Sequence, residues 1–303
     1  GMVGKNILEH PMADHYEILA PSSKELDLTH AADTQHYINE AKADVIIHAA
    51  GRVGGIQANI ANPVDFLVTN TDIGRNVILA AYRAGVPQLI NLASSCMYPR
   101  NAPNPLSEEL VLQGELEPTN EGYAIAKIFA TRLCEYINKE SQKKSTCSVR
   151  YKTLIPCNLF GRHDKFEPEH SHLIPAIIHK VHQAKVTGTT EVDIWGDGTA
   201  RREFMYAGDL AGAVLHAVQD FEKIPDVINI GLGHDHSINA YYAAAAEVIG
   251  WQGNFVHDTT KPVGMKQKLV DISRQRGWGW MPITSLQSGI DKTYQFYLEG
   301  QKP

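Results

Sequence analysis

The stretch ADVIIHAAG (43–51) is a short β-branched, apolar run that ends in small residues, and it decides how the chain folds. A strand this evenly apolar is buried on both faces, the condition of a parallel sheet covered by helices. The neighbouring segments agree with it. VDFLVTNTDIGRNVILAAYRAG (64–85) has helical spacing and closes on Gly85, a C-cap signal. VPQLINLAS (86–94) is a second buried strand, and GYAIAKIFATRLCEYINKES (122–141) is a second amphipathic helix. A further strand lies within SVRYKTLIPCN (148–158). Strands alternating with helices imply right-handed parallel βαβ units. The expected fold is α/β, a doubly wound parallel sheet of the Rossmann type.

The chain of 303 residues is 43% hydrophobic and 20% charged, an ordinary soluble composition with room for a large core. A net charge of −6 argues against a nucleic-acid binder, which needs a basic face. No apolar run reaches the ~18 residues of a membrane span. Cys96, Cys134, Cys147 and Cys157 show no metal-ligand spacing, so no metal site is expected, and they read as free thiols of a cytoplasmic protein.

The chain opens on GMVGKNILEH, in which Gly1 and Gly4 have the spacing of the last glycines of a G-x-x-G-x-x-G turn. Such a turn lets backbone approach a pyrophosphate at a helix N-terminus. A chance GxxG reads the same way. No strand precedes it, so the first strand of the sheet is expected to be missing from the chain as given. EILAPSSKELDL (17–28) is then the expected second strand with its exit. At that exit NAD-selective folds carry an acid, whereas Ser22, Ser23 and Lys24 suit the 2′-phosphate of NADP. A plain polar turn has the same composition.

Tyr123 and Lys127 stand four apart on a helix, which puts them on one face. An ammonium beside a phenol lowers its pKa from ~10, and such a tyrosine can exchange a proton with a ketone oxygen. A lone YxxxK is weak evidence, since a tyrosine packed under the sheet and a solvated lysine would look alike. Order strengthens it: the helix comes after a strand ending in Ser94-Ser95, where open α/β sheets bind ligands.

These residues resemble the extended short-chain dehydrogenase/reductase superfamily. Within it, AAGRVGGIQAN (49–59), SSCMYP (94–99), LEPTNEGYAIAK (116–127), NLFGRHDKF (158–166), SHLIPAII (171–178) and WGDGTARREF (195–204) are similar to the GDP-L-fucose synthase family. That resemblance implies 3,5-epimerisation of GDP-4-keto-6-deoxy-D-mannose and then 4-reduction with NADPH. It matches Cys96 to the base and His172 to the acid of the epimerisation. Ser94, Tyr123 and Lys127 match the residues that steady the enolate and then protonate the C4 oxygen. Ala93, Pro156, Cys157, Asn158 and Leu159, together with His172, match positions along the cofactor. Ser95, Lys180, Trp195 and Arg202 match positions contacting the GDP-sugar. The implied organisation is an NADP-binding Rossmann domain (1–158) and a smaller C-terminal α/β substrate domain (159–303), with segments of the latter returning to the former. A homodimer through the helices at 64–85 and 122–141 is also implied.

Two positions depart from the family: Lys180 replaces an arginine, and Val263 stands where an acid contacts substrate. Both leave room for a sister enzyme acting on a related nucleotide 4-keto sugar of the colitose type. A 4,6-dehydratase is disfavoured because no Asp-Glu pair adjoins Ser95-Cys96. From another class, a non-catalytic NADP-binding scaffold would have no need for Cys96, His172, Tyr123 and Lys127 together.

Overall fold

The computed structural model describes residues 1–143, 149–167, 171–261 and 265–300. Cys147 and Val263 lie outside the described residues. The central sheet is four-stranded: β1 (Val45–His48), β2 (Gln88–Leu92), β3 (Arg150–Pro156) and a later strand from residues 227–230 lie side by side in that order, all parallel. Between and beyond them run β4 (Asn158–Phe160), β5 (Glu191–Trp195), β6 (Arg201–Arg202), β7 (Phe204–Tyr206), β8 (Val227–Ile230), β9 (His236–Ser237), β10 (Asn254–Asp258) and β11 (Gln267–Lys268). The fourth strand of the sheet is β8, so chain beyond residue 159 completes it.

The helices are α1 (Met2–Glu9), α2 (Ala31–Ala41), α3 (Ile56–Ala61), α4 (Pro63–Ala84), α5 (Glu121–Ser141), α6 (Leu173–Thr187), α7 (Ala207–Gln219), α8 (Ile238–Ile249), α9 (Ser273–Trp278) and α10 (Leu286–Glu299). On one face of the sheet, Ile38 of α2, Val77 and Ala81 of α4 and Ile137 of α5 bury themselves against Leu89 and Tyr151. On the other, Ile7 of α1 and Leu210, Val214 and Ala217 of α7 pack on Ile90, Leu154 and Ile228. Both faces are covered, which is why the strands read as unbroken apolar runs. A separate cluster joins α6, α8 and α10 to β5 through Ile178, Val181, Ile194, Tyr241 and Tyr294.

Local signals explain the ends. Gly85 adopts φ +71° and its N–H reaches the Ala81 and Tyr82 carbonyls, ending α4 as its sequence predicts. Gly74 lies where α4 meets α5, and a Cβ there would stand 3.3 Å from the Ala130 Cβ. Asn138 ties α5 to the sheet: its side chain donates to the Tyr151 carbonyl and accepts from the Tyr151 amide, both at 2.8 Å.

The expected strand within 17–28 is a correction. A strand exists only by pairing, and residues 17–22 find no ladder partner among the described residues, running as irregular chain into a turn at 23–25. No helix among the described residues is long and apolar enough to cross a membrane.

Candidate active site

Beyond the carboxyl end of β2 the chain turns sharply. Ser94 Oγ accepts the Cys96 amide at 3.3 Å and opens a single 3₁₀ turn over Ser95–Met97. That turn buries Ser95 and Cys96 at the sheet edge. From the adjoining α5, Tyr123 projects in the first turn and Lys127 one turn later. The Ser94 hydroxyl, which accepts the Cys96 amide, lies near enough to the Tyr123 phenol to favour its charged form. Phe66 packs edge-on against Tyr123, with ring centres 6.5 Å apart.

The electrostatics correct one expectation. Lys127 Nζ donates to the Leu92 carbonyl at 3.0 Å and lies 5.7 Å from the Tyr123 ring centre, so it does not pair with the phenol. Burial then dominates and pushes the Tyr123 phenol up, with the Cys96 charge adding to it and the Ser94 hydrogen bond opposing. Burial also pushes Lys127 down to about 8, against the pull of Cys96. His48, at the end of β1, is driven down to about 3 by burial and by the Lys127 charge, so it stays neutral. For Cys96, burial raises the thiol, while Lys268, the Ser94 hydroxyl and Lys127 favour its charged form.

Pro156, Cys157, Asn158 and Leu159 leave the end of β3 and enter β4 beside this cluster. Asn158 Nδ2 donates to the Glu203 carbonyl at 2.9 Å. Glu203 itself is buried and receives the amides of Leu232, Gly233 and Val270 at 2.6, 2.9 and 2.9 Å. Burial still carries its carboxyl up to about 7. Arg202 lies beside it on β6, its Nη1 on the Arg201 carbonyl at 2.8 Å.

His172 occupies the N-cap position of α6 without capping it through its side chain. Burial, then the Lys165 charge, lowers its pKa. The adjoining Ser171 carbonyl would be 3.1 Å from a Cβ on Gly55, and Lys127 Nζ would be 3.7 Å from one on Gly51. The loop 51–55 therefore spans from Lys127 to the His172 segment. A cleft of about 220 Å³ bordered by Asn59, Phe66, Asn120 and Tyr123 opens beside it. Of its lining, Asn59 Oδ1 and Asn120 Oδ1 are buried polar atoms with no hydrogen-bond partner among the described residues, which suits a polar ligand.

The other sequence-predicted residues stand further out. Gly1 caps α1 and Gly4 lies in its first turn, with nothing within 4 Å of a Cβ on either. Ser22, Ser23 and Lys24 form an exposed turn whose Ser22 amide binds the Glu25 carboxylate at 2.7 Å. They make no hydrogen bond to the serine–tyrosine–lysine cluster among the described residues. Lys180 Nζ pairs with the Asp193 carboxylate at 2.8 Å, and Trp195, 49% exposed at the end of β5, lies under Lys261 at 5.7 Å. Ala93 follows β2, and its amide donates to the Leu154 carbonyl at 2.9 Å. Sequence reasoning missed Glu203, Lys268 and His48. Glu203 lay in a quoted motif but carried no signal of burial, and Lys268 belonged to no motif.

A parallel sheet with serine at one strand end and tyrosine and lysine on the next helix defines a reductase-type enzyme of the short-chain class. The chain belongs to the NAD dependent epimerase/dehydratase family, whose model matches residues 1–231. It is 51% identical over 298 residues to the GDP-L-colitose synthase of Yersinia pseudotuberculosis, covering 98% of this chain and 95% of that one. It is 48% identical over 302 residues to the GDP-L-fucose synthase of Azorhizobium caulinodans, covering 100% and 95%. Among solved structures, a GDP-L-fucose synthetase from Naegleria fowleri bound to NADP matches with a TM-score of 0.90 at 26% identity, covering 99% of this chain and 91% of that one.

Proposed function

We propose that the protein inverts C3 and C5 of GDP-4-keto-6-deoxy-D-mannose and then reduces C4 with NADPH, yielding GDP-L-fucose. The observation that carries this reading is the turn at the end of β2, where the Ser94 hydroxyl accepts the Cys96 amide at 3.3 Å and also acts on the Tyr123 phenol. A carbon acid beside a ketone is removable only if the enolate oxygen is held, and here the base and the oxyanion donors share one turn.

The residues present fit a nicotinamide dinucleotide. Tyr123 and Lys127 would hold the ribose, and Pro156, Cys157, Asn158, Leu159, Ala93 and His172 would line the nicotinamide. Gly1 and Gly4 at the head of α1 would take the pyrophosphate, and Ser22, Ser23 and Lys24 the 2′-phosphate. The bound reduced nicotinamide supplies a hydride.

Cys96 takes the proton from C3 or C5, the Ser94 and Tyr123 hydroxyls hold the enolate oxygen, and His172 returns a proton to the opposite face. Tyr123 then gives its proton to the C4 oxygen as the ketone is reduced. Burial that raises the phenol suits this direction, because the proton stays on Tyr123 until a stronger base develops beside it. Ser95, Lys180, Trp195 and Arg202 would contact the GDP-sugar, with Arg202 able to bind a phosphate in a bidentate manner.

The test is NADPH oxidation with GDP-4-keto-6-deoxy-D-mannose, with the product identified by NMR. No turnover while NADPH still binds would sink the reading. The 51% identity to a GDP-L-colitose synthase favours a second reading, in which the substrate is the keto sugar leading to GDP-L-colitose. Parallel assays with both sugars separate the two by kcat/KM.

We also infer a homodimer. Val64 (70% exposed) and Val68 (49%) on α4, with Ile125 (42%), Phe129 (38%) and Tyr136 (59%) on α5, form outward apolar rows at helical spacing. The free cysteines Cys96, Cys134 and Cys157 fit a cytoplasmic location.

A further inference from the structure

The turn that carries Cys96 is too short to hold itself. Its internal bonds run from the Met97 amide to the Ser94 carbonyl at 3.1 Å and from the Tyr98 amide to the Ser95 carbonyl at 3.4 Å. Bonds of this 3₁₀ kind are poorly aligned, so a lone turn needs outside anchors. At its head, Ser94 Oγ accepts the Cys96 amide at 3.3 Å. On its flank, Thr131 Oγ1 of α5 lies 3.6 Å from the Met97 sulfur. At its foot, two residues after Cys96, the Tyr98 phenol donates to Asn229 Oδ1 at 2.5 Å.

Asn229 is itself immobilised. It lies fully buried in β8, the outer strand of the central sheet. Its side-chain amide donates to the Leu106 and Asp271 carbonyls at 2.9 and 3.0 Å. Carbonyls only accept, so the Asn229 oxygen has to face the phenol, and a flipped carboxamide would set oxygen against oxygen. Its backbone amide donates to Glu108 Oε1 at 2.8 Å, and Glu108 Oε2 lies 3.5 Å from Arg274 Nε. Burial, with the Glu108 charge adding to it, pushes the Tyr98 phenol up, so the bridging proton stays on Tyr98. A phenylalanine against a leucine would fill the same space with no polar group to satisfy. A fully satisfied polar network in a core selects one geometry, and here that geometry is the foot of the cysteine turn.

We propose that Tyr98 is a positioning residue for the epimerisation: its bond to Asn229 fixes the turn Ser95–Met97 so that the Cys96 sulfur meets the carbon beside the ketone. This rests on reading Cys96 as the base. Tyr98 is 2% exposed and acts through the turn. A misplacement of about 1 Å costs such a step roughly 10²-fold. The ketone oxygen is held from the head of the turn by Ser94 and from α5 by Tyr123, so reduction depends less on where the foot is tied.

The test compares two rates in the full chain. One is solvent-deuterium entry at C3 and C5 of GDP-4-keto-6-deoxy-D-mannose with oxidised NADP present. The other is NADPH-dependent reduction of the already inverted ketone. In Tyr98→Phe the first should fall about tenfold or more while the second stays within about threefold, so their ratio drops. A general loosening of the fold would lower both together. An unchanged ratio, whether both rates hold or both fall, overturns the proposal and leaves Cys96 as the base. A ratio that rises overturns it as well. Wild-type protein that reduces the inverted ketone with no deuterium entry rejects Cys96 as the base, and this inference with it. Should Y98F fail to fold, Y98F/N229L, which removes donor and acceptor together, is assayed in its place and must show the same split.

Discussion

Lys127 directs its ammonium to the Leu92 carbonyl, at 3.0 Å, and stands 5.7 Å from the centre of the Tyr123 ring. The lysine is thus anchored to the sheet, and its pKa of about 8 against 10.5 for an ordinary lysine becomes visible in stability. Between those values the unfolded chain binds more protons than the folded one, so stability rises with pH across that window. In denaturant titrations, wild type should gain on Lys127→Met from about pH 8 to about pH 10.5. A constant difference between the two across that range would show that the lysine is not desolvated.

Tyr123→Phe removes the hydroxyl proposed as proton donor and keeps the packing against Phe66. Reduction of the keto sugar should drop by about 10²–10⁴-fold with little change in melting temperature. Deuterium exchange at C3 and C5 should survive better, since Ser94 still holds the enolate. Equal loss of both activities would mean that Ser94 contributes no oxyanion binding.

Cys96→Ser and His172→Gln should separate the two reactions in the other direction. Each should slow solvent exchange at the inverting carbons by about 10²-fold or more. Each should also leave the NADPH-dependent reduction of an already inverted ketone near wild type. If both variants lose reduction as well, the two residues shape the pocket and do not move protons.

Glu203 holds three backbone amides from two different loops. Glu203→Ala strands those donors in the interior and should cost about 2–3 kcal/mol in chemical denaturation.

Val68→Glu combined with Phe129→Glu places charges on the outward rows of α4 and α5. If the dimer inference holds, sedimentation should report dimers for wild type and monomers for the variant. Wild-type protein that sediments as a monomer would rule the dimer out.

Much of this was legible in the residues. The runs at 45–48, 88–92 and 150–156 announced themselves because a strand covered on both faces has no polar side to hide. The helix at 121–141 carried its tyrosine and lysine at a spacing that could only place them on one face. The segment 17–28 misled for a physical reason: strand formation depends on a neighbour, and composition cannot report whether one exists. The phenol's pKa misled for another. Adjacency of Lys127 suggested attraction, but burial and the Leu92 carbonyl intervene, and neither is written in a four-residue spacing. Glu203 was invisible as an anchor because the amides it holds, at 232, 233 and 270, lie far away along the chain.

The bond from Val270 to Glu203 spans 67 positions of chain. Contacts of such reach form slowly, because a long loop must close before they offset its lost freedom. Helices α4 and α5 can settle on their strands locally, whereas the amides that satisfy Glu203 arrive only when distant segments dock. A nascent or partly refolded molecule would therefore display the sheet and the helix bearing Tyr123 and Lys127 while the buried carboxylate of Glu203 still awaited its amides.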